Sequence, residues 1–366
     1  MRVHIVDPPA FTPAYDHALC AALAGEGADV ELVTSRFAYG CVPTPEGYRV
    51  HTGFYRRAAG LPGSRRRRLA KLAEHPAAML AYRRRAASAD VVHVQWLTLE
   101  ALDRHLLPRE RPVVVTAHDI LARDPLPGQR RAQHRLYGRV DAVVVHSRHG
   151  RSRLVDGLGL DPARVHVIPH GAFEHLTRLP GERRLSEELD RVEGPLVLLV
   201  GRLEPYKGVD VLLEAWRGIT GAELWVVGLP KMPLEALRRS APPSVRWMPR
   251  FVTDHELAAL LRRADVVVLP YREIDQSGVL FAALAFGRPI VLSAVGGFPE
   301  VAELGAAALV PPEDAAALHA ELARLLRDPA ARRALSSGAQ AAARGPFAWP
   351  AIARRTLALY RTLGAP

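Results

Sequence analysis

VGRLEPYKG, Val200 to Gly208, follows directly on the apolar run PLVLLV and sets Arg202 and Lys207 just past what reads as a strand's end. The layout recurs in YREIDQSGVLFAALAFGRPIV, Tyr271 to Val291, where a buried-type strand at Val266 to Leu269 leads to a small-residue turn, Gln276 to Gly278, and an apolar helix. A helix start leaves its first N–H groups unpaired and carries about half a positive charge, so this turn offers bare donors to an anion. Two fixed cations and a helix start converging on one crevice suit a diphosphate.

On either side of this stretch, strand and helix patterns alternate throughout. Continuous β-branched runs near Val3, Val30, Val91, Val113, Val143 and Val165 restart near Val197, Val226, Val245, Val267, Ile290 and Leu309. Such runs mark strands buried on both faces of a parallel sheet. The economical reading is α/β: two doubly wound, Rossmann-like domains facing across a cleft, since 366 residues exceed one ordinary core of ~100 to 200. The expected division is a first domain over 1–172, a charged, strandless linker over 173–194, a second domain over 195–345 and a C-terminal helix over 346–366 that crosses back to the first domain.

With 49% hydrophobic and 24% charged residues, the chain is neither disordered nor fibrous. No apolar run approaches the ~18 residues of a spanning helix, and strand-like residues start at Val3, so the protein is expected to stay in the cytoplasm. Cys20 and Cys41 show no metal-ligand spacing and read as free thiols. The net charge of +11 is uneven: 26 Lys/Arg face 17 Asp/Glu up to residue 180, against 23 and 21 beyond. The excess gathers in Arg56, Arg57, Arg65, Arg66, Arg67, Arg68, Lys71 and Arg83 to Arg85. Leu69, Leu72, Met79, Leu80 and Tyr82 interleave with it, which leaves two readings open, a solvated arginine-rich helix pair or a surface for anionic lipid or a phosphorylated acceptor. No groove-reading motif accompanies the charge, so nucleic acid is not the expected partner.

PVVVTAHDI ends a strand with His118 and Asp119, where open α/β sheets bind ligands. Taken singly, His93, His146 and His170 read as satisfying local backbone. VGRLEPYKGVDVLLEAW, AFGRPIVLSAVGGFPEV, VVVTAHD, VIPHG and FAWPAIARRTLALY together resemble the family 4 retaining glycosyltransferases of the GT-B fold, in order and over nearly the whole chain. The resemblance implies a hexosyl transfer from a nucleotide diphosphate sugar as co-substrate, with no cofactor. By that resemblance, Arg202 and Lys207 would clamp the diphosphate, the Ser277, Gly278 and Val279 amides would receive it, and His118 would contact the transferred sugar. It also implies a base against the Trp247 to Val252 turn, with Arg250 and Phe251 as candidate contacts, and Asp275 and Gln276 toward the donor. Pro9, Thr12, Tyr15 and Asp119 are the acceptor-side candidates, for a glycan, a lipid-linked or a small-molecule acceptor.

The departing group in such a transfer is a diphosphate, so preorganised donors that meet its growing charge supply much of the acceleration. Charge-assisted bonds to phosphate are about twice as strong as neutral ones, which favours Arg202 and Lys207 over any hydroxyl. Without a DxD pair to hold a metal, turnover is expected to be metal-independent. Two departures stand out. Of the two glutamates that many relatives carry eight positions apart, the second falls on Ala282 and the first on Ile274, between Glu273 and Asp275. The usual paired glycines near the N-terminus are replaced by PPAFTPAYD, Pro8 to Asp16. A non-catalytic nucleotide-sugar-binding protein and a sugar-nucleotide epimerase on the same fold remain the alternatives.

Overall fold

A strand without a polar face must be covered on both sides, and every apolar run named above lies in a parallel sheet. In the computed structural model, which describes all residues except 39, 41, 59–60, 62, 121–126 and 366, two sheets are present. Cys41 lies outside the described residues; Cys20 is a buried free thiol. The first sheet contains β1 (Arg2–Asp7), β2 (Asp29–Ser35), β3 (Arg49–Phe54), β4 (Val91–Val94), β5 (Val113–Thr116), β6 (Ala142–Val145) and β7 (Val165–Val167), in the order β3-β2-β1-β4-β5-β6-β7. The second contains β8 (Leu196–Val200), β9 (Glu223–Val227), β10 (Val245–Met248), β11 (Val266–Leu269), β12 (Ile290–Ser293) and β13 (Ala308–Val310), in the order β10-β9-β8-β11-β12-β13.

Register follows the apolar pattern: Val3 lies beside Val30 and Val91, and Leu198 beside Trp225 and Val267. The strand order reverses between β1 and β4 in one sheet and between β8 and β11 in the other. These switch points open crevices at the carboxyl ends of the strands. β3 is the strand that the apolar runs do not announce: RVHTGF is an edge strand, largely exposed, paired to β2 across a register shift at Thr34/Ser35.

The chain divides into two compact units, Met1–His170 with Trp349–Pro366, and Gly171–Ala348. Residues 173–194 are therefore not a free linker. They form helices His175–Arg178 and Arg183–Leu189, which bury Leu176, Leu185 and Leu189 in the core of the second unit. The charged outer faces of these helices hid that packing from the sequence pattern. The final helix, Trp349–Thr362, belongs to the first unit and buries Ile352, Leu357, Leu359 and Tyr360 beside the Pro13–Gly25 helix. Tyr360 anchors it: its hydroxyl lies 2.6 Å from Nδ1 of His93, whose Nε2 lies 2.7 Å from the Thr116 hydroxyl. Burial pushes His93 down to about 3, so both bonds are made by the neutral ring.

The Tyr360→Phe variant leaves one buried nitrogen of His93 unpaired, at a cost of about 1 to 3 kcal/mol. Urea unfolding should show a lower midpoint with an unchanged slope.

Candidate functional site

In the second unit the site is built on glycines that let loops touch backbone to backbone. β8 ends at Gly201, φ +130°, and a Cβ on Gly228 would stand 1.7 Å from the Gly201 carbonyl oxygen. The loop after β8 is then stitched to the loop after β9, with Leu203 N–H donating to Leu229 O and Lys231 N–H to Leu203 O. A single 3-10 turn, Pro205–Lys207, follows and stops at Gly208, φ +66°, where a Cβ would stand 2.0 Å from Pro270 O. Arg272 N–H donates to Tyr206 O at 2.8 Å. The loop after β8 is thereby laid over the loop after β11, across the switch point.

That geometry fixes Lys207. Its side chain is buried, Nζ donates to the Tyr271 hydroxyl at 2.6 Å, and the ammonium stands 3.8 Å from the Tyr271 ring centre and 5.2 Å from that of Tyr206. Burial pushes the Tyr271 phenol up, so it stays a neutral acceptor. The point where a Gly201 Cβ would sit is 3.9 Å from Lys207 Nζ and 3.5 Å from Val279 Cγ2, which brings the ammonium to the start of the Gly278–Ala285 helix. There the Ser277 hydroxyl neighbours the Tyr271 phenol but is buried without a hydrogen bond of sound geometry. The Ser277, Gly278 and Val279 N–H groups have no partner among the described residues. A buried cation, a partnerless hydroxyl and free amides at a helix start together form an anion cradle.

Other donor-side candidates fall nearby or apart. Arg202, exposed on the same loop, pairs with Glu204 at 3.2 Å, a surface pair of the kind worth little. Arg250 pairs with Glu256 at 2.6 Å and donates to Phe251 O. Glu256 is also the capping-box glutamate of the Asp254–Arg263 helix, so this pair fixes the turn after β10, while the Phe251 ring stays exposed. Asp275 and Gln276 are half-buried. Ile274 and Ala282 both lie in the hydrophobic core, so the two positions at which the family resemblance implies carboxylates are used here for packing.

In the first unit, the carboxyl ends of β1, β4, β5, β6 and β7 gather aromatic and histidine side chains. The PPAFT loop wraps on Asp7, whose Oδ2 accepts from the N–H groups of Phe11 and Thr12. Burial raises both Asp7 and Asp16, and the Asp7 charge raises Asp16 further. Trp96 Nε1 donates to Thr12 Oγ1 at 2.9 Å, and its indole stacks on His118, ring centres 5.1 Å apart and planes 12° apart. Pro9 is buried, Thr12 half-buried and Asp119 exposed. Tyr15 is buried with its ring against His118, His146, His170 and Trp349.

The proton positions follow from the bonds. His146 Nδ1 donates to Ile168 O at 3.0 Å, so its Nε2 accepts from His118 Nδ1 at 3.2 Å. Burial pushes His146 down to about 4 and His118 well below its usual value, so both are neutral near pH 7. His118 Nε2 is left as an acceptor beside the Gln95 amide at 3.1 Å. A half-turn of that amide supplies a donor, and the Gln95 nitrogen has no other partner. Sequence reasoning singled out His118 but not Gln95, Trp96 or Tyr271, which look like ordinary core residues at strand ends. No group of three or more His, Cys, Asp or Glu arranged to hold a metal occurs among the described residues.

The family model described as "Glycosyl transferases group 1" matches residues 194–328, and that described as "Glycosyl transferase 4-like domain" matches residues 14–171. The chain belongs to the group 1 glycosyltransferases. The D-inositol 3-phosphate glycosyltransferase of Kineococcus radiotolerans is 30% identical over 94% of this chain and 88% of its own length. That of Frankia alni is 32% identical over 66% of this chain and 63% of its own length, so the chain spans less than two thirds of that relative. Among solved structures, sucrose-phosphate synthase from Thermosynechococcus elongatus has a TM-score of 0.76 at 22% identity, covering 100% of this chain and 99% of the other. HepE from Anabaena, solved with UDP and glucose, has a TM-score of 0.71 at 19% identity, covering 100% of both. The fold of this glycosyltransferase is GT-B.

Gly228→Ala forces a side chain against the Gly201 carbonyl and should destabilise the enzyme by about 2 kcal/mol or more in urea, with weaker nucleotide binding. The histidine chain makes stability depend on pH. His93, His118 and His146 take up protons less readily when folded, so their contribution is complete above the unfolded value of about 6.5 and is lost as pH falls toward 4. Chemical denaturation between pH 7 and pH 4 should show this decline, and His146→Gln should flatten it.

Proposed function

We propose that this glycosyltransferase moves a hexosyl group, with retention and without a metal, from a nucleoside diphosphate sugar held by Lys207, Arg202 and the Ser277, Gly278 and Val279 amides. The observation that carries the reading is the buried Lys207 ammonium set beside the helix start, where the amides have no partner. As the sugar C1–O bond to the diphosphate breaks, negative charge grows on the leaving oxygen, and these fixed donors meet it without reorganising. The acceptor oxygen bonds to C1 on the same face, and its proton passes to the departing phosphate. No protein nucleophile takes part. His118, held neutral and oriented by His146 and Trp96, exchanges its Gln95 partner for the transferred sugar, accepting through Nε2 from one of its hydroxyls. Arg250 and Phe251 face the base, Asp275 and Gln276 serve the donor sugar, and Thr12 and Asp119 serve the acceptor.

A uridine diphosphate sugar is the donor to try first, because the HepE neighbour was solved with UDP and glucose. A phosphorylated cyclitol heads the acceptor panel, followed by lipid-linked acceptors, because the relatives act on D-inositol 3-phosphate by name. We place the enzyme in the cytoplasm, at the inner membrane face. No described helix is long and apolar enough to cross a membrane. The Arg65–Arg85 helix supports a peripheral contact: Met79 and Tyr82 are buried in the core, while Leu69, Leu72 and Leu80 are exposed beside exposed Arg65, Arg66 and Arg68.

Turnover of the donor should persist in chelator. Lys207→Met should lower kcat/KM by about 100-fold or more, the usual cost of losing one donor to a developing oxyanion, and Arg202→Ala should do less because that side chain is already paired and exposed. Turnover of Lys207→Met within a few-fold of wild type would refute the diphosphate assignment. Flotation with phosphatidylglycerol vesicles, weakened by alanine at Arg65 to Arg68, is the expected membrane result; no flotation of the wild type would remove that part.

A further inference from the structure

The Arg65–Arg85 helix connects β3 to β4, so it runs from the carboxyl edge of the first sheet to its amino edge, away from the histidine chain. Its last turn carries Arg83, Arg84 and Arg85. Arg85 is bound to Glu31, but the side chains of Arg83 and Arg84 have no hydrogen bond or ion pair among the described residues. The segment leading into β5 brings Arg109, also without such a partner, and Arg111, whose guanidinium donates to Ala87 O at 2.9 Å. Together with Leu80 and Pro108 these four arginines line a pocket of about 330 Å³, with Glu110 as its one acidic side chain.

Arginines in a helix's last turn complement the carbonyl end of its dipole, which accounts for one or two of them. It does not account for Arg109 and Arg111, which come from a different segment. Four guanidinium groups against the single Glu110 carboxylate leave this concave space with a surplus of positive charge, and their planar forks match phosphate oxygens in pairs. Leu80, on the rim, is 47% exposed and lies eleven residues, about three helical turns, beyond exposed Leu69 on the same helix face. The arginine-lined pocket is thus continuous with an exposed apolar stripe.

We propose that this pocket binds the phosphate of an anionic lipid headgroup, with a preference for a phosphomonoester, which carries close to two negative charges at neutral pH. The proposal rests on the peripheral membrane contact above and adds a headgroup site to it. The wild type should float with phosphatidic acid vesicles several-fold better than with phosphatidylglycerol vesicles matched for surface charge. The triple variant Arg83→Gln, Arg84→Gln, Arg109→Gln should lose that preference while keeping its thermal midpoint, its donor turnover and its residual binding to phosphatidylglycerol. Arg111 is left in place because it holds Ala87 O.

Equal flotation of the wild type with both lipids, or a preference that survives in the triple variant, would overturn the headgroup site and leave the membrane contact standing. A wild type that floats with neither lipid overturns both. Calorimetric titration with glycerol 3-phosphate separates the sources. Binding to it without flotation would identify a site for a soluble phosphate and contradict the lipid assignment.

Discussion

Two of the backbone contacts in the second unit that permit no side chain bear on the cradle: Gly228 against the Gly201 carbonyl and Gly208 against the Pro270 carbonyl. They fix the loop after β8 on the loops after β9 and β11, and so determine where Lys207 lies. A lysine on a flexible four-carbon stem is a poor fixed charge by itself. Here the stem is buried and the ammonium is held by the Tyr271 phenol and ring, so its entropy is spent on folding rather than on binding. The β8–β11 switch point supplies the crevice, and the glycines supply the accuracy.

The first unit solves a different problem with the same sheet edge. Instead of a cation it presents a neutral imidazole whose orientation is relayed from a backbone carbonyl, Ile168 O, through His146 to His118. Trp96 covers one face of that ring and Tyr15 meets it edge-on. Both aromatics exclude water from the histidines, and burial keeps these bases neutral. Charge is thus concentrated in one unit's cradle and suppressed in the other's histidine chain.

The sheets were legible because their strands are apolar on both faces, as at Val113–Thr116 and Leu196–Val200. β3 was not, because an edge strand such as RVHTGF needs no continuous apolar run. The 173–194 helices were read as a connector because their cores are only Leu176, Leu185 and Leu189 among many charges. Among the candidate residues of each unit, Lys207, His118 and the Ser277 turn stood out by residue type and spacing. Tyr271, Trp96 and Gln95 did not, since what matters in them is contact across loops far apart in sequence. Ile274 and Ala282 stand where the family resemblance implies carboxylates, and both are core residues here.

The account turns on a preorganised ammonium that recognises the diphosphate and not the nucleoside. Calorimetric titration of the wild type and Lys207→Met with UDP and with uridine isolates that contribution. The account predicts that UDP binds the wild type at least about 100-fold more tightly than uridine, and that the gap shrinks to about tenfold or less in Lys207→Met while uridine affinity is unchanged. An unchanged gap in the variant would contradict it.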